Sequence, residues 1–167
     1  MRLTVYTDYA LRVMLYLAVK HQSGALSTID EIVQAYNISR AHVAKIVYEL
    51  GLSGMIVTVR GRAGGIRLAH APQDISVGAI VRSTEKDFAV VACPASPPAP
   101  AGAILPACRL KQGFKRAVDA FLAELDALTL ADAISSMASA ADALGLREVK
   151  ISLPAARSAR PRAPHKV

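Results

Sequence analysis

Residues 28–69 constrain the fold of this chain most strongly, because two closely spaced helix signals are followed there by two short β-type runs. Thr28 and Glu31 have the spacing of a capping box, in which a hydroxyl caps a helix and a carboxylate three residues later bonds back. Apolar residues at helical spacing follow. Asn37 tolerates the left-handed conformation and predicts a turn, and Ser39 predicts the cap of a second helix. Two helices joined by about three residues form a helix-turn-helix.

The second helix is predicted to bury one face and to expose a basic one. Its apolar residues at helical spacing are Val43, Ile46, Val47 and Leu50. Its exposed face carries Arg40, Ala41, His42, Ala44 and Lys45. Gly51 suits the position just beyond the end of this helix. Two β-type runs, residues 55–60 and 66–69, flank a glycine-rich tip that contains Arg62, and a basic hairpin beside a helix-turn-helix is typical of a winged DNA reader.

The N-terminal part of a recognition helix is the part that meets base edges in the major groove. Arg40 is therefore expected to read guanine, and Lys45 is expected to hold a phosphate. Arg60 and Arg62 of the wing are expected to reach either the DNA backbone or the minor groove. The alternative is that these side chains form an ordinary solvated surface. The predicted DNA-binding residues are Thr28, Ser39, Arg40, His42, Lys45, Arg60 and Arg62.

The charge distribution favours an anionic partner. The net charge is +7 and the pI is about 9.7, which favours binding to anions without identifying them. Residues 1–70 carry 8 Lys and Arg against 4 Asp and Glu, residues 71–153 carry 8 against 9, and residues 154–167 carry 4 against 0. The excess of basic charge therefore lies on the predicted DNA-binding region and on the C-terminal tail.

Several protein classes are disfavoured by what the sequence contains. Its two cysteines, Cys93 and Cys108, are too few for a disulfide-built secreted scaffold. The N-terminus has no signal-peptide layout, and no apolar run approaches the roughly 18–20 residues of a membrane span. We therefore expect a cytoplasmic protein. We find no phosphate-binding glycine loop, no histidines at metal-ligand spacing and no catalytic constellation, so we predict that the protein is not an enzyme.

The N-terminal stretch predicts one further helix. Thr7 is a suitable cap, and apolar residues at helical spacing continue to about Gln22. Asp8 falls in the predicted first turn, where a carboxylate stabilises the positive end of the helix dipole by roughly 0.3–1 kcal/mol. Beyond the wing, residues 70–76 are predicted to form a linker, and Ser76 is expected to cap a short helix.

Prolines interrupt the chain after this short helix. Residues 88–91 are predicted to form either a strand or the end of the helix. Residues 93–102 contain four prolines, which exclude a regular helix or a central strand. A loop of this length inside a compact domain is usually either functional or disordered.

A long amphipathic helix is predicted to begin near Pro106. Its apolar stripe consists of Phe114, Val118, Phe121, Leu122, Leu125 and Leu128. The stripe packs either within the chain or against a second subunit. We favour a homodimer, because one helix-turn-helix contacts few bases. Proteins of this kind usually bind as dimers to two symmetric half-sites. Residues 129–144 are expected to form a final, alanine-rich helix.

These elements predict a mainly α fold with a small β wing: a winged helix-turn-helix followed by a long dimerisation helix. The DNA-binding domain is assigned to residues 1–76, and the sensor loop with the dimerisation helices is assigned to residues 77–144. Residues 145–167 are expected to form a disordered basic tail, since Pro, Ala, Arg and Ser predominate there.

Four motifs together carry a resemblance to a known family. They are Thr7-Asp8-Tyr9-Ala10-Leu11-Arg12, Tyr36-Asn37-Ile38-Ser39 with His42 and Lys45, Val59 to Leu68, and Leu105-Pro106-Ala107-Cys108-Arg109-Leu110. Over about residues 1–133 the chain resembles the Rrf family of winged-helix regulators, and within it the nitric-oxide-responsive NsrR type. The resemblance implies a homodimeric repressor that binds double-stranded operator DNA and is switched by an iron–sulfur cluster.

The resemblance also implies which residues hold the cluster. In such proteins three cysteines of the loop before the dimer helix are ligands, completed in some members by an early acidic residue of the partner subunit. Cys93 matches the first cysteine, Cys108 matches the last, and Asp8 matches the acidic ligand. Gly102 stands where the family has its middle cysteine, so this chain offers three side-chain ligands where a [2Fe–2S] cluster normally takes four. We therefore expect a labile cluster or none.

Two alternatives remain open at this stage. The same fold without a cluster would be a thiol-based or small-molecule sensor, in which Cys93 and Cys108 are ordinary thiols beside a proline-rich loop. A winged helix that holds a protein partner instead of DNA would be an interaction module.

Overall fold

A computed structural model describes residues 2–21, 23–90 and 109–135. The helices are α1 (Val5–His21), α2 (Ile29–Tyr36), α3 (Arg40–Leu52), α4 (Val77–Thr84), α5 (Arg109–Ala127) and α6 (Leu130–Ser135), with a short 3₁₀ turn at Pro72–Asp74. The strands are β1 (Ile56–Val59) and β2 (Gly65–Leu68), which pair antiparallel. The predicted fold, mainly helical with a small β wing, is confirmed.

The helix-turn-helix forms as its local signals predict. The capping box of α2 is complete: Glu31 N donates to Thr28 Oγ1 at 3.2 Å, and Thr28 N donates to Glu31 Oε2 at 2.6 Å. Asn37 adopts the left-handed conformation, with φ of 52° and ψ of 43°. Ser39 caps α3, since its hydroxyl accepts a hydrogen bond from His42 N at 3.4 Å. The four predicted apolar residues of α3 are buried.

Two predicted helix ends were wrong. Thr7 does not cap α1, which begins earlier; its side chain is buried within the first turn, and its amide donates to Thr4 Oγ1 at 3.2 Å. Gly51 lies inside α3, which ends in a Schellman motif three residues later. There Met55 N bonds to Leu50 O at 2.9 Å, and Gly54, with φ of 75°, donates from its amide to Gly51 O at 3.1 Å.

The wing is anchored to the segment that precedes α2. Ser27 forms a bridge with Ile66 of β2, with Ser27 N to Ile66 O at 2.9 Å and Ile66 N to Ser27 O at 2.7 Å. The approach is so close that a Cβ on Gly65 would lie 2.7 Å from the Ser27 carbonyl oxygen. Backbone hydrogen bonds therefore join the wing directly to the start of the helix-turn-helix.

The hydrophobic core is organised around α1. This helix contacts α2, α3, α4, α6 and β2, and its buried residues form one cluster with apolar side chains from both ends of the described chain. The segment before α6 closes the core through Val77 N to Leu128 O at 2.8 Å and Leu130 N to Ile75 O at 2.9 Å. Leu130 is completely buried. The predicted domain limits remain a prediction, and the described core includes residues on both sides of residue 76.

A polar contact also links the start of α1 to the end of α4. Thr4 N donates to Glu85 Oε1 at 2.6 Å. Burial raises the pKa of the Glu85 carboxyl, but hydrogen bonds from Thr4 and Thr7 outweigh this effect and hold the pKa below its ordinary value. The carboxylate therefore stays ionised at neutral pH and continues to accept these hydrogen bonds.

The long helix α5 packs on α4 at one end. Arg82 and Asp126 form a bidentate ion pair, in which Arg82 Nη2 lies 2.7 Å from Asp126 Oδ2. Gly78 permits this approach, because a Cβ there would lie 2.8 Å from the Asp126 amide nitrogen. The predicted start of the helix at residues 106–108 lies outside the described residues, as does the predicted final helix beyond Ser135. Residues 88–90 form neither strand nor helix.

No residue of α5 is buried. Of its apolar stripe, Phe121 is 36% exposed, and Leu128, just beyond the helix, is 40% exposed. A groove of about 510 Å³ runs beside the stripe, lined by Leu3, Val90, Phe114, Ala117, Val118 and Phe121. In the described parts of the chain, no helix is both long and apolar enough to cross a bilayer.

Candidate nucleic-acid interface

The exposed face of α3 presents the polar and basic side chains that the sequence predicted there. Arg40, His42 and Lys45 are all exposed. The His42 ring is held at the start of the helix, with Nδ1 2.9 Å from Ser39 Oγ and the Tyr9 ring centroid 5.9 Å away. This face therefore combines a cation at its first residue, an oriented imidazole one half-turn later and a second cation beyond it.

Arg40 is held by a residue of the neighbouring helix. Its Nε lies 2.8 Å from Oδ1 of Asp30, in the first turn of α2. The two side chains are 68% and 64% exposed. Sequence reasoning missed Asp30, because ten positions separate the pair and their contact depends on the angle between two helices.

Lys45 contacts Glu49 of its own helix and the ring of Tyr6 on α1. Its Nζ lies 3.8 Å from Glu49 Oε1 and 5.6 Å from the centroid of the Tyr6 ring. Tyr6 Oη donates to Glu49 Oε2 at 2.6 Å. Burial and the Glu49 carboxylate raise the pKa of the Tyr6 phenol, so it stays protonated and remains a donor. Glu49 was within reach of sequence analysis, since Lys45 and Glu49 are four residues apart on a helix.

The wing offers two exposed cations. Arg60 and Arg62 are exposed, and no carboxylate of the described residues lies within 4 Å of either side chain. Gly61, with φ of 116°, turns the chain between them, and Gly64 N closes the tip by donating to Gly61 O at 2.9 Å. Exposed guanidinium groups on a hairpin tip are suited to contacts with phosphates, which demand charge more than fixed geometry.

Thr28, the remaining residue of the predicted DNA-binding set, is exposed at the start of α2. Its hydroxyl and amide both contact Glu31. It lies at a helix N-terminus, where backbone amides and the helix dipole favour an anion.

The residues predicted to hold the cluster are only partly described. Asp8 is in the first turn of α1, 51% exposed, and its Oδ2 lies 2.9 Å from Arg12 Nε. The Arg12 guanidinium also lies 5.8 Å from the centroid of the Tyr36 ring. Cys93 and Cys108 lie outside the described residues, and the cluster site formed with Asp8 stays a prediction.

The donor set fits an iron–sulfur cluster incompletely. Two thiolates and one carboxylate are three side-chain ligands, one fewer than a cluster normally takes. The described carboxylate is already paired with a guanidinium, which is always positively charged and cannot ligate a metal. Within residues 2–21, 23–90 and 109–135, no group of three His, Cys, Asp or Glu side chains is arranged to bind a metal ion.

The fold and this surface together define a winged helix-turn-helix protein of the DNA-binding type. The family model Rrf2, described as an iron-dependent transcriptional regulator, matches residues 3–136. The chain therefore belongs to the Rrf2 family, which confirms the predicted resemblance. The members of this family are transcriptional regulators and not enzymes, as the sequence also predicted.

Individual relatives agree with this assignment. The chain is 45% identical over 136 residues to the HTH-type transcriptional regulator NsrR of Bacillus subtilis, covering 81% of this chain and 92% of the relative. It is 47% identical over 139 residues to NsrR of Geobacillus kaustophilus, covering 83% and 93%. Among solved structures, CymR, the global cysteine regulator of B. subtilis, is similar with a TM-score of 0.67 and 26% identity, covering 81% and 98%. IscR of T. potens shares the fold, with a TM-score of 0.65 and 24% identity, covering 84% and 90%.

Proposed function

We propose that the protein is a homodimeric repressor that binds duplex operator DNA, with α3 in the major groove and the wing on the adjacent backbone or minor groove. The observation that carries the proposal is the exposed start of α3, where Arg40 and His42 are held by Asp30 and Ser39, beside a wing on which Arg60 and Arg62 are exposed. Oriented groups suit base edges, and exposed cations suit phosphates.

A dimer is the second part of this proposal. A single α3 contacts few base pairs, and helix-turn-helix proteins usually gain affinity from two symmetric half-sites. The half-exposed apolar stripe of α5, with its groove, offers a surface for a second subunit. The proposed cytoplasmic location follows from this role.

We expect the dimer to bind a specific duplex with an affinity that falls steeply as salt is raised, because Lys and Arg displace phosphate counterions. Arg40→Ala should relax base preference at a cost of roughly 1–3 kcal/mol if Arg40 reads guanine. Arg62→Ala should weaken all duplexes alike. Footprinting and fluorescence anisotropy over a salt series, on a duplex selected by the protein from a random pool, measure both effects.

Asp119→Ala is the control for this experiment, since Asp119 forms an exposed ion pair with Lys115 on α5, outside the reader. Equal affinity for the selected duplex and for random DNA at every salt concentration would contradict the proposal. That result would favour the alternative in which the winged helix is a protein-interaction module.

For the signal, we propose that Cys93, Cys108 and Asp8 hold a labile iron–sulfur cluster, most simply [2Fe–2S], that responds to nitric oxide or to the redox or iron state of the cell. The similarity to the NsrR relatives and the soft thiolate ligands support this proposal. The lability follows from the ligand count. Gly102 contributes no side-chain ligand, and Arg12, the partner of Asp8, cannot replace it.

Protein purified without oxygen is therefore expected to carry less than one cluster per subunit and to lose it quickly in air. Gly102→Cys should raise the occupancy by restoring a third thiolate, and Cys108→Ala should abolish it. Iron and sulfide analysis with an anaerobic absorption spectrum measures all three proteins.

Ser96→Cys is a suitable control, because it adds a thiol to the same loop away from the family's middle cysteine position. Full occupancy that is stable in air in the unaltered chain would contradict the ligand count. An absence of iron in both the unaltered chain and Gly102→Cys would favour a thiol-based or small-molecule sensor.

A further inference from the structure

The ion pair between Asp30 and Arg40 lies on the surface that the proposed function turns toward DNA. It joins the first turn of α2 to the first residue of α3 across the turn of the helix-turn-helix. Both side chains are about two-thirds exposed, and pairs that are this exposed contribute little to folding stability. A contribution to folding stability therefore does not explain why Asp30 and Arg40 are paired.

The negative charge of Asp30 is also expected to lower the affinity for any DNA. A carboxylate close to the proposed interface repels phosphates, and the arginine that compensates for it is the one proposed to contact bases. A carboxylate at this position favours DNA binding only if it improves the contact between Arg40 and the bases.

The geometry shows how Asp30 can do so. The planar guanidinium carries one N–H on Nε and two on each terminal nitrogen, in a rigid fork. Asp30 occupies the Nε edge at 2.8 Å. The edge formed by the two terminal nitrogens is left for a second planar partner, and bidentate contact with guanine O6 and N7 requires two N–H groups side by side.

We infer that Asp30 is a specificity-determining positioning residue: it fixes the plane of the Arg40 guanidinium so that its terminal nitrogens meet a guanine edge. This inference rests on the proposed DNA-binding function. The three arginines of the wing support it by contrast. Arg60 and Arg62 have no described carboxylate within 4 Å, and Arg67 donates to the backbone oxygen of Leu68.

The test begins with a duplex selected by the wild-type protein from a random pool. Each guanine is replaced in turn by 7-deazaguanine, which lacks the N7 acceptor. The guanine read by Arg40 is the one whose replacement weakens wild-type binding by about 5- to 140-fold, the equivalent of 1–3 kcal/mol, and leaves Arg40→Ala binding unchanged.

At that guanine, Asp30→Ala is expected to reduce the deazaguanine penalty by about 2- to 12-fold, because ordering one free long side chain costs about that much in affinity. Asp30→Ser, which is too short to reach Arg40, should behave in the same way. Asp30→Asn keeps an acceptor oxygen and should retain the wild-type penalty. Asp119→Ala again serves as the control, and circular dichroism checks that each variant is folded.

The outcomes separate the two proposals. A wild-type protein without any sequence preference would refute the DNA-binding function itself. A penalty that depends on Arg40 and is unchanged in Asp30→Ala and Asp30→Ser would overturn only the inference. In that case a uniform rise in affinity for all duplexes would show that Asp30 acts through its negative charge alone.

Discussion

Replacing Phe121 and Leu125 together with Glu is expected to convert the protein from a dimer to a monomer and to abolish operator binding at concentrations that saturate the wild type. Hot-spot residues, which cluster in well-packed positions near the centre of an interface, contribute about 2 kcal/mol or more each. Loss of two such residues corresponds to a dimer weakened by about a thousandfold. A carboxylate buried there without a partner adds a further cost. Analytical ultracentrifugation and anisotropy with the selected duplex measure both effects.

The structure identifies a matched control for this experiment. Ala123 is an exposed residue of α5 on the side opposite the apolar stripe, so Ala123→Glu adds the same charge away from the proposed seam. It should sediment as a dimer and bind DNA as the wild type does. A wild-type protein that sediments as a monomer at micromolar concentration would contradict the dimer seam, and the stripe would then need a partner within the chain.

The second large effect is expected where α4 crosses α5. Gly78→Ala should destabilise the protein by about 1–3 kcal/mol, because the added methyl group would overpack the crossing. The nearest backbone atom, the Asp126 amide nitrogen, is 2.8 Å from the position of the new Cβ. The helices must separate to accept it, and the ion pair between Arg82 and Asp126 would be disturbed. Urea unfolding followed by circular dichroism measures the change.

Replacing Gly113 with Ala should change the stability in the opposite direction. This glycine lies within α5, and a Cβ there would meet nothing within 4 Å. Gly113→Ala should therefore stabilise the protein by up to about 1 kcal/mol through helix propensity alone. Equal effects at the two glycines would show that the crossing of α4 and α5 is looser than the structure indicates.

The helix-turn-helix was predictable because its signals are local. The capping box, the left-handed Asn37 and the Ser39 cap each depend on residues within about four positions, and the structure confirms all three. At each of the two wrong helix ends, the sequence holds a second candidate of the same residue type three positions away. Thr4 was as suitable a cap as Thr7, and Gly54 was as suitable an end as Gly51.

The fine structure of the candidate interface was not predictable in the same way. Asp30 and Tyr6 reach Arg40 and Glu49 from other helices, and these contacts depend on how three helices pack. The bridge between Ser27 and Ile66 likewise joins segments that are far apart in sequence. Only pairs four residues apart on one helix, such as Asp8 with Arg12, were within reach of sequence reasoning.

The placement of α1 at the centre of the core affects how the chain folds during synthesis. Its apolar face leaves the ribosome before the other elements of this core, and Leu130, which closes the same core, follows more than a hundred residues later. At roughly 5–20 residues per second, the nascent chain must keep part of this face uncovered for about 6–23 s. The helix-turn-helix and wing cover the face toward α2, α3 and β2 first, and the last side is covered only when α6 arrives. The time needed to translate the residues between α1 and α6 therefore sets how long the unfinished core is open to chaperones or to aggregation.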